Sequence, residues 1–205
     1  QVKDSIYHLD TIGIGSKMLA QGGKEIFVKS DLGMVTINGN YDIPRMVRSV
    51  KKVIYNNNPQ ITKAWKEDIA NYPGHQKFDF SVHLKKSSNF LSLLGLHQSS
   101  FKKLLIKGKL DTYKNELSLA SDIPFLKIKG DSLQNLQLLV NSANRSGHIT
   151  LHIDSTFAFN RHFNPIFLQT NVNADTVDFE LTTEKIANNL ENFDIMGKVT
   201  PHKKG

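Results

Sequence analysis

The sequence predicts a mainly β protein: a repeated antiparallel β-meander that forms either an open curled sheet with a groove or a sandwich, with a short helical hairpin inserted over 43–72. Three observations carry this. Apolar and polar residues alternate in several segments, turn-forming Gly, Asn, Asp and Pro lie between them, and short motifs recur along the chain. Residues 1–205 read as a single β-rich repeat segment of a larger protein.

In chain order, strands are expected over 5–14, 25–30 and 34–41. From Ile43 the apolar residues Ile43, Met46, Val47, Val50 and Ile54 fall at helical spacing, and Pro44 suits a first helical turn. Asn56-Asn57-Asn58-Pro59 ends that helix, and Ile61, Ala64, Trp65 and Ile69 mark a second, closed by Tyr72-Pro73-Gly74. Alternation is clearest where Phe78, Phe80, Val82 and Leu84 face one way and Lys77, Asp79, Ser81 and His83 the other. Ser87-Ser88-Asn89 before Phe90, Leu91 and Leu94, with Gly95 following, suggests another helical turn. Strands follow over 104–111, 115–121, 125–130, 135–142 and 166–174. The same period of two marks Ile149, Leu151 and Ile153, then Val177, Phe179 and Leu181.

Composition excludes several function classes. There is no cysteine, so disulfides, thiolate metal sites and cysteine nucleophiles are absent. No stretch approaches the roughly 20 apolar residues of a membrane span. Lys and Arg number 26 against 19 acids, a net charge of +7. The cations are scattered except for Arg45, Arg48, Lys51 and Lys52, and no aromatic-basic interleaving marks a nucleic-acid platform. That helix can lie on a membrane surface beside Trp65 or pack its apolar stripe on the sheet, and its narrow stripe favours packing.

Catalytic and metal signatures are missing. His148 and His152 share one side of a strand, but four residues at roughly 3.3 Å each separate them by about 13 Å, too far for one ion. Gly13-Ile14-Gly15-Ser16-Lys17 lacks phosphate-loop spacing. No catalytic residue, metal or cofactor is assigned, and no nucleic-acid partner is expected.

Repetition is the most informative feature. Residues 26–39 align without a gap onto 117–130, each running into a Ser-Asp turn and a second strand that ends at Ile-x-Gly, where glycine permits a bulge or bend. The Ile-x-Gly ending returns at Ile106-Lys107-Gly108-Lys109-Leu110-Asp111 and Ile195-Met196-Gly197-Lys198-Val199.

With Asp4-Ser5-Ile6-Tyr7-His8-Leu9-Asp10-Thr11-Ile12, Val28-Lys29-Ser30-Asp31, Ile37-Asn38-Gly39-Asn40-Tyr41, Gly108-Lys109-Leu110-Asp111 and Leu119-Ala120-Ser121-Asp122-Ile123-Pro124, the chain resembles TamB-like translocation and assembly module proteins, relatives of the AsmA group. The resemblance implies a long periplasmic protein tethered to the inner membrane, its strands curled into an open apolar groove. Its members are linked to outer-membrane biogenesis and phospholipid transport, so phospholipid acyl chains and outer-membrane assembly proteins are the expected partners. A membrane anchor is expected outside this segment. The resemblance carries a lining role to Ile26, Val28, Leu117 and Leu119. With the alternating residues Phe78, Phe80, Val82, Ile149, Leu151 and Ile153 they form the candidate groove lining. The alternative is a sandwich acting as an adhesin or scaffold module, since a facing sheet keeps the same residues dry.

Overall fold

The computed structural model describes residues 11–20, 22–59, 62–69, 74–85, 99–163, 165–174, 176–183 and 193–200. The helical turn expected at 87–95 and most of the strand expected at 5–14 lie outside them. In order the strands are β1 (Ile12–Met18), β2 (Lys24–Ser30), β3 (Gly33–Asn40), β4 (Lys77–Lys85), β5 (Ser100–Phe101), β6 (Lys103–Asp111), β7 (Glu116–Ile128), β8 (Asp131–Ala143), β9 (Ser146–Ala158), β10 (Arg161–Phe163), β11 (Ile166–Asn173), β12 (Thr176–Thr183) and β13 (Asp194–Val199). All belong to one sheet with the order β1-β2-β3-β4-β6-β7-β8-β9-β11-β12-β13, while β5 adds to β7 and β10 to β9. Every pairing is antiparallel. The sheet is an open meander that does not close into a barrel, so the open-sheet branch of the expectation holds and no second sheet faces it among the described residues.

The helical insertion is present. A 3₁₀ turn at Ile43–Arg45 leads into α1 (Met46–Asn57), and a second 3₁₀ turn at Lys63–Trp65 leads into α2 (Lys66–Ile69). Pro44 sits at the start of the first turn, where its missing N–H costs nothing. The buried cluster is where α1 meets the sheet: Tyr41, Val53, Phe78 and Leu110, with Met46, Val50, Ile26, Ile37, Phe80 and Leu117 packed around it. Val53 is 0% exposed, and the Tyr41 and Phe78 rings meet edge to face at 6.0 Å. Met46, Val50 and Val53 of α1 are thus used for packing on the sheet, whereas Val47 of the expected stripe stays exposed.

One expected turn is absent. Ser30-Asp31-Leu32 does turn the chain between β2 and β3, with Ser30 Oγ accepting from the Leu32 N–H at 3.2 Å. Its aligned counterpart at Ser121-Asp122 runs straight through β7, a single 13-residue strand where separate strands over 115–121 and 125–130 were expected. The residue after the turn explains the difference. Gly33 adopts φ +150 and lies so close to the His83 carbonyl that no side chain fits. Pro124 stands at the matching place, and its ring fixes φ near −65°, which suits continued extension.

Of the Ile-x-Gly endings, Gly130 lies in the turn between β7 and β8, as expected, while those within strands do something different. Gly39 has φ +135 and presses against the Lys77 carbonyl. Gly108 and Gly197 lie inside strands, covered by the rings of Phe80 and Phe179 from the neighbouring strand. Each is part of a matched pair of steps: Asp79-Phe80 opposite Lys109-Gly108, and Asp178-Phe179 opposite Lys198-Gly197. The missing side chain makes room for the ring, which shields the bare backbone in return.

Gly108→Ala drives a methyl into the Phe80 ring and to 2.9 Å from the Ser118 carbonyl. We expect it to lower unfolding free energy by roughly 1–3 kcal/mol. Urea denaturation of Gly108→Ala, Phe80→Leu and the double variant should give a double cost smaller than the sum, because the smaller side chain relieves the overlap.

Candidate functional site

Because antiparallel partners point to the same face, the pairing register shows which side chains share a surface. One row runs Ile26, Ile37, Phe80, Gly108, Leu119, Val140, Ile149, Thr170, Phe179 across β2 to β12. The next row on the same face runs Ile14, Val28, Val35, Val82, Ile106, Ser121, Leu138, Leu151, Leu168, Leu181, Ile195 from one sheet edge to the other. Phe78, Leu110 and Leu117 lie in the flanking row toward α1, and Ile123, Leu136, Ile153 and Ile166 in the row beyond. All ten candidate lining residues therefore fall on one face. Phe78 and Ile153 are buried at 3% and 7% exposure, Val28 is 36% exposed, and the other seven are half-buried.

Strand spacing of about 4.8 Å over ten steps, and rows about 6.6 Å apart, give an apolar band roughly 48 Å long and 20 Å wide. Sequence reasoning names ten members as lining; Val35, Ile37, Ile106, Leu138, Val140 and Leu168 also belong to the band, as do Phe179 and Leu181, whose alternation is legible in the sequence. β3, β6, β8 and β11 are legible in the sequence only as candidate strands without a face, and the cross-strand register supplies that face.

The opposite face is polar along the matching row: Lys17, Glu25, Asn38, Asp79, Lys109, Ser118, Asn141, His148, Asn171, Asp178 and Lys198. Lys17 pairs with Glu25 at 3.0 Å and Lys198 with Asp178 at 3.4 Å. His148 Nδ1 lies 2.7 Å from Asn171 Oδ1, and His152 stacks on Phe167 at 4.4 Å. Clefts of about 560, 440 and 410 Å³ include residues of this row, among them Asp79, Lys109, Asn141 and His148 in the largest.

The helix α1 covers one end of the apolar face. Its last turn is fixed to two hairpin turns: Asn56 Nδ2 donates to Asn115 Oδ1 at 2.6 Å, Asn57 Nδ2 donates to the Asn115 carbonyl at 2.9 Å, and Asn57 Oδ1 accepts from the Arg145 N–H at 2.8 Å. The Asn run was legible only as a helix stop. Its second role depends on Asn115 and Arg145, which are distant in sequence.

Tyr41, at the other end of this contact, donates from Oη to the Ile37 carbonyl at 3.2 Å. Burial holds its hydroxyl above the ordinary value of 10.0, opposed by a backbone hydrogen bond at Ile26 and helped by repulsion from Glu25.

Compared with known proteins, the chain matches no family model, no curated protein and no solved structure.

Two measurements check this account. Asn57 is 1% exposed, and Asn57→Ala strips partners from the Asn115 carbonyl and the Arg145 N–H. It should cost about 1–3 kcal/mol in urea unfolding. Folded Tyr41 keeps its proton to higher pH than the unfolded chain does, so its contribution is complete below the unfolded value and is lost as pH rises through the raised folded one. As pH rises above about 10 the urea midpoint should therefore fall less steeply in Tyr41→Phe than in the parent.

Proposed function

We propose that this chain is a non-catalytic, lipid-handling segment of a cell-envelope protein. Its apolar sheet face shelters phospholipid acyl chains during outer-membrane biogenesis or transport between membranes. The observation that supports this is the apolar row from Ile14 to Ile195, interrupted only by Ser121, on a face that no second sheet covers among the described residues. Each acyl CH₂ taken out of water contributes about 0.8 kcal/mol, so ordinary aliphatic side chains hold a chain without headgroup chemistry. The clefts lined by lysines and carboxylates are unsuited to the same cargo.

The resemblance to TamB-like proteins supports a periplasmic setting, a tether to the inner membrane outside residues 1–205, and outer-membrane assembly proteins as partners. A scaffold module that uses the same face against protein is the competing reading.

Adjacent residues on opposite faces make a controlled test. Leu138 belongs to the apolar band, whereas Leu139 is 50% exposed on the polar face. The parent chain should co-purify with phospholipid and take up an environment-sensitive apolar dye. Leu138→Asp should cut uptake roughly tenfold or more by placing a carboxylate where the acyl chain lies, while Leu139→Asp should leave it unchanged. Photoreactive groups at Phe80, Leu119 and Leu151 should crosslink to lipid. Absence of uptake by the parent, equal loss from both substitutions, or adducts to protein alone would overturn the reading.

A further inference from the structure

We propose that the helix-bearing end of the sheet docks on a bilayer surface carrying anionic phospholipid. This rests on the outer flank of the helical insertion and not on the apolar band. The segment Ile43–Asn57 holds four cations, Arg45, Arg48, Lys51 and Lys52, and no acid. Met46, Val50 and Val53 are occupied by the sheet. Ile43 and Val47, one helical turn apart, are not: they are 51% and 69% exposed. Arg48, next to Val47, is exposed as well, and Arg45 pairs with Asp42 at 3.1 Å.

A third exposed apolar residue belongs to the same end. Tyr113, 78% exposed, sits with Lys114 in the turn between β6 and β7. A short chain of hydrogen bonds ties that turn to the start of the insertion: the Thr112 N–H donates to the Gln76 carbonyl at 2.9 Å, and Gln76 Nε2 donates to the Asp42 carbonyl at 3.3 Å. Aliphatic side chains flanked by cations, with a tyrosine alongside, match the membrane interface: the apolar groups enter the acyl boundary, tyrosine sits at headgroup level, and the cations meet phosphate. The charge complementarity selects an anionic bilayer over a neutral one. With three apolar side chains engaged, docking is shallow, reversible and salt-sensitive.

Trp65 is the single tryptophan and lies within the insertion, with Lys51 Nζ 6.0 Å from its ring, so its fluorescence reports on this end alone. The full chain would be titrated with phosphatidylcholine vesicles with and without phosphatidylglycerol, in the presence of brominated lipid. We expect quenching only with phosphatidylglycerol, reversed by added salt. Arg48→Glu and Ile43→Ser/Val47→Ser should each lower the partition coefficient roughly tenfold. Phe159→Ser should not, although Phe159 is 85% exposed, because it lies at the opposite end beside Asp131. These residues are exposed, so the variants keep the parent's circular dichroism. Leu138→Asp should keep docking intact, which separates this proposal from the acyl-chain reading. Equal partition into both vesicle types, loss with Phe159→Ser equal to that with Arg48→Glu, or binding of a DNA duplex with no vesicle partition would overturn it.

Discussion

Everything else in this fold depends on register. In a sheet the side-chain period is two, so a one-residue slip between any pair of strands would turn the apolar residues of every later strand to the wet face. The pairing avoids this from β1 to β13, and tight turns help to set it where they join consecutive strands. Ala143 and Ser146 pair across the two-residue turn Asn144-Arg145, whose residues both have positive φ, 50 and 63. That geometry matches the twist of the flanking strands and leaves no slack for an alternative pairing. Arg145 is an unusual residue for such a turn. Its N–H is held by Asn57, so the helix helps to fix a register that the local sequence specifies weakly.

The helix is thereby more than decoration. Twelve residues at 1.5 Å span about 18 Å, close to the four strand steps of about 4.8 Å that separate β3 from β8. One short element therefore bridges the middle of the sheet, from Tyr41 at its entry to Asn115 and Arg145 at its exit. It provides what second layer the described residues show, and it buries one end of the apolar face.

How much of this the sequence disclosed follows from the range of each interaction. Alternation is local, so Phe78-Phe80-Val82 and Ile149-Leu151-Ile153 could be placed on one face of their own strands from sequence alone. The helix was legible for the same reason, through its spacing from Ile43 to Ile54. What stayed hidden was non-local or lay in a single residue. The similarity between 26–39 and 117–130 is real at the level of apolar pattern, yet one copy is a hairpin and the other a straight strand, because Gly33 and Pro124 permit opposite backbone paths. The Ile-x-Gly endings recur in the sequence without marking one repeated unit, and their use beneath Phe80 and Phe179 depends on which strand lies alongside. The polar-face clefts gave no linear signal, since they gather residues from strands distant in the chain.

The distribution of burial links stability to the proposed role. Among the described residues only seven apolar side chains are buried: Tyr41, Val53, Ile69, Phe78, Phe101, Leu110 and Ile153. Most of the band is half-buried, packed against neighbours in the sheet but not covered from above. At the two edges the cover is thinner still, with Ile14 74% and Ile195 48% exposed. Each edge strand nevertheless carries a lysine, Lys17 or Lys198, paired with an acid on the strand inside it, and charged edges discourage sheet-to-sheet association. A protein arranged in this way retains unrealised apolar burial in its folded state. An occupant that covers the band and binds the folded chain in preference to the unfolded one raises stability by mass action, with the logarithm of its concentration relative to its dissociation constant. In the proposed role cargo and fold would support each other: the face that leaves the sheet short of burial is the face a lipid would cover.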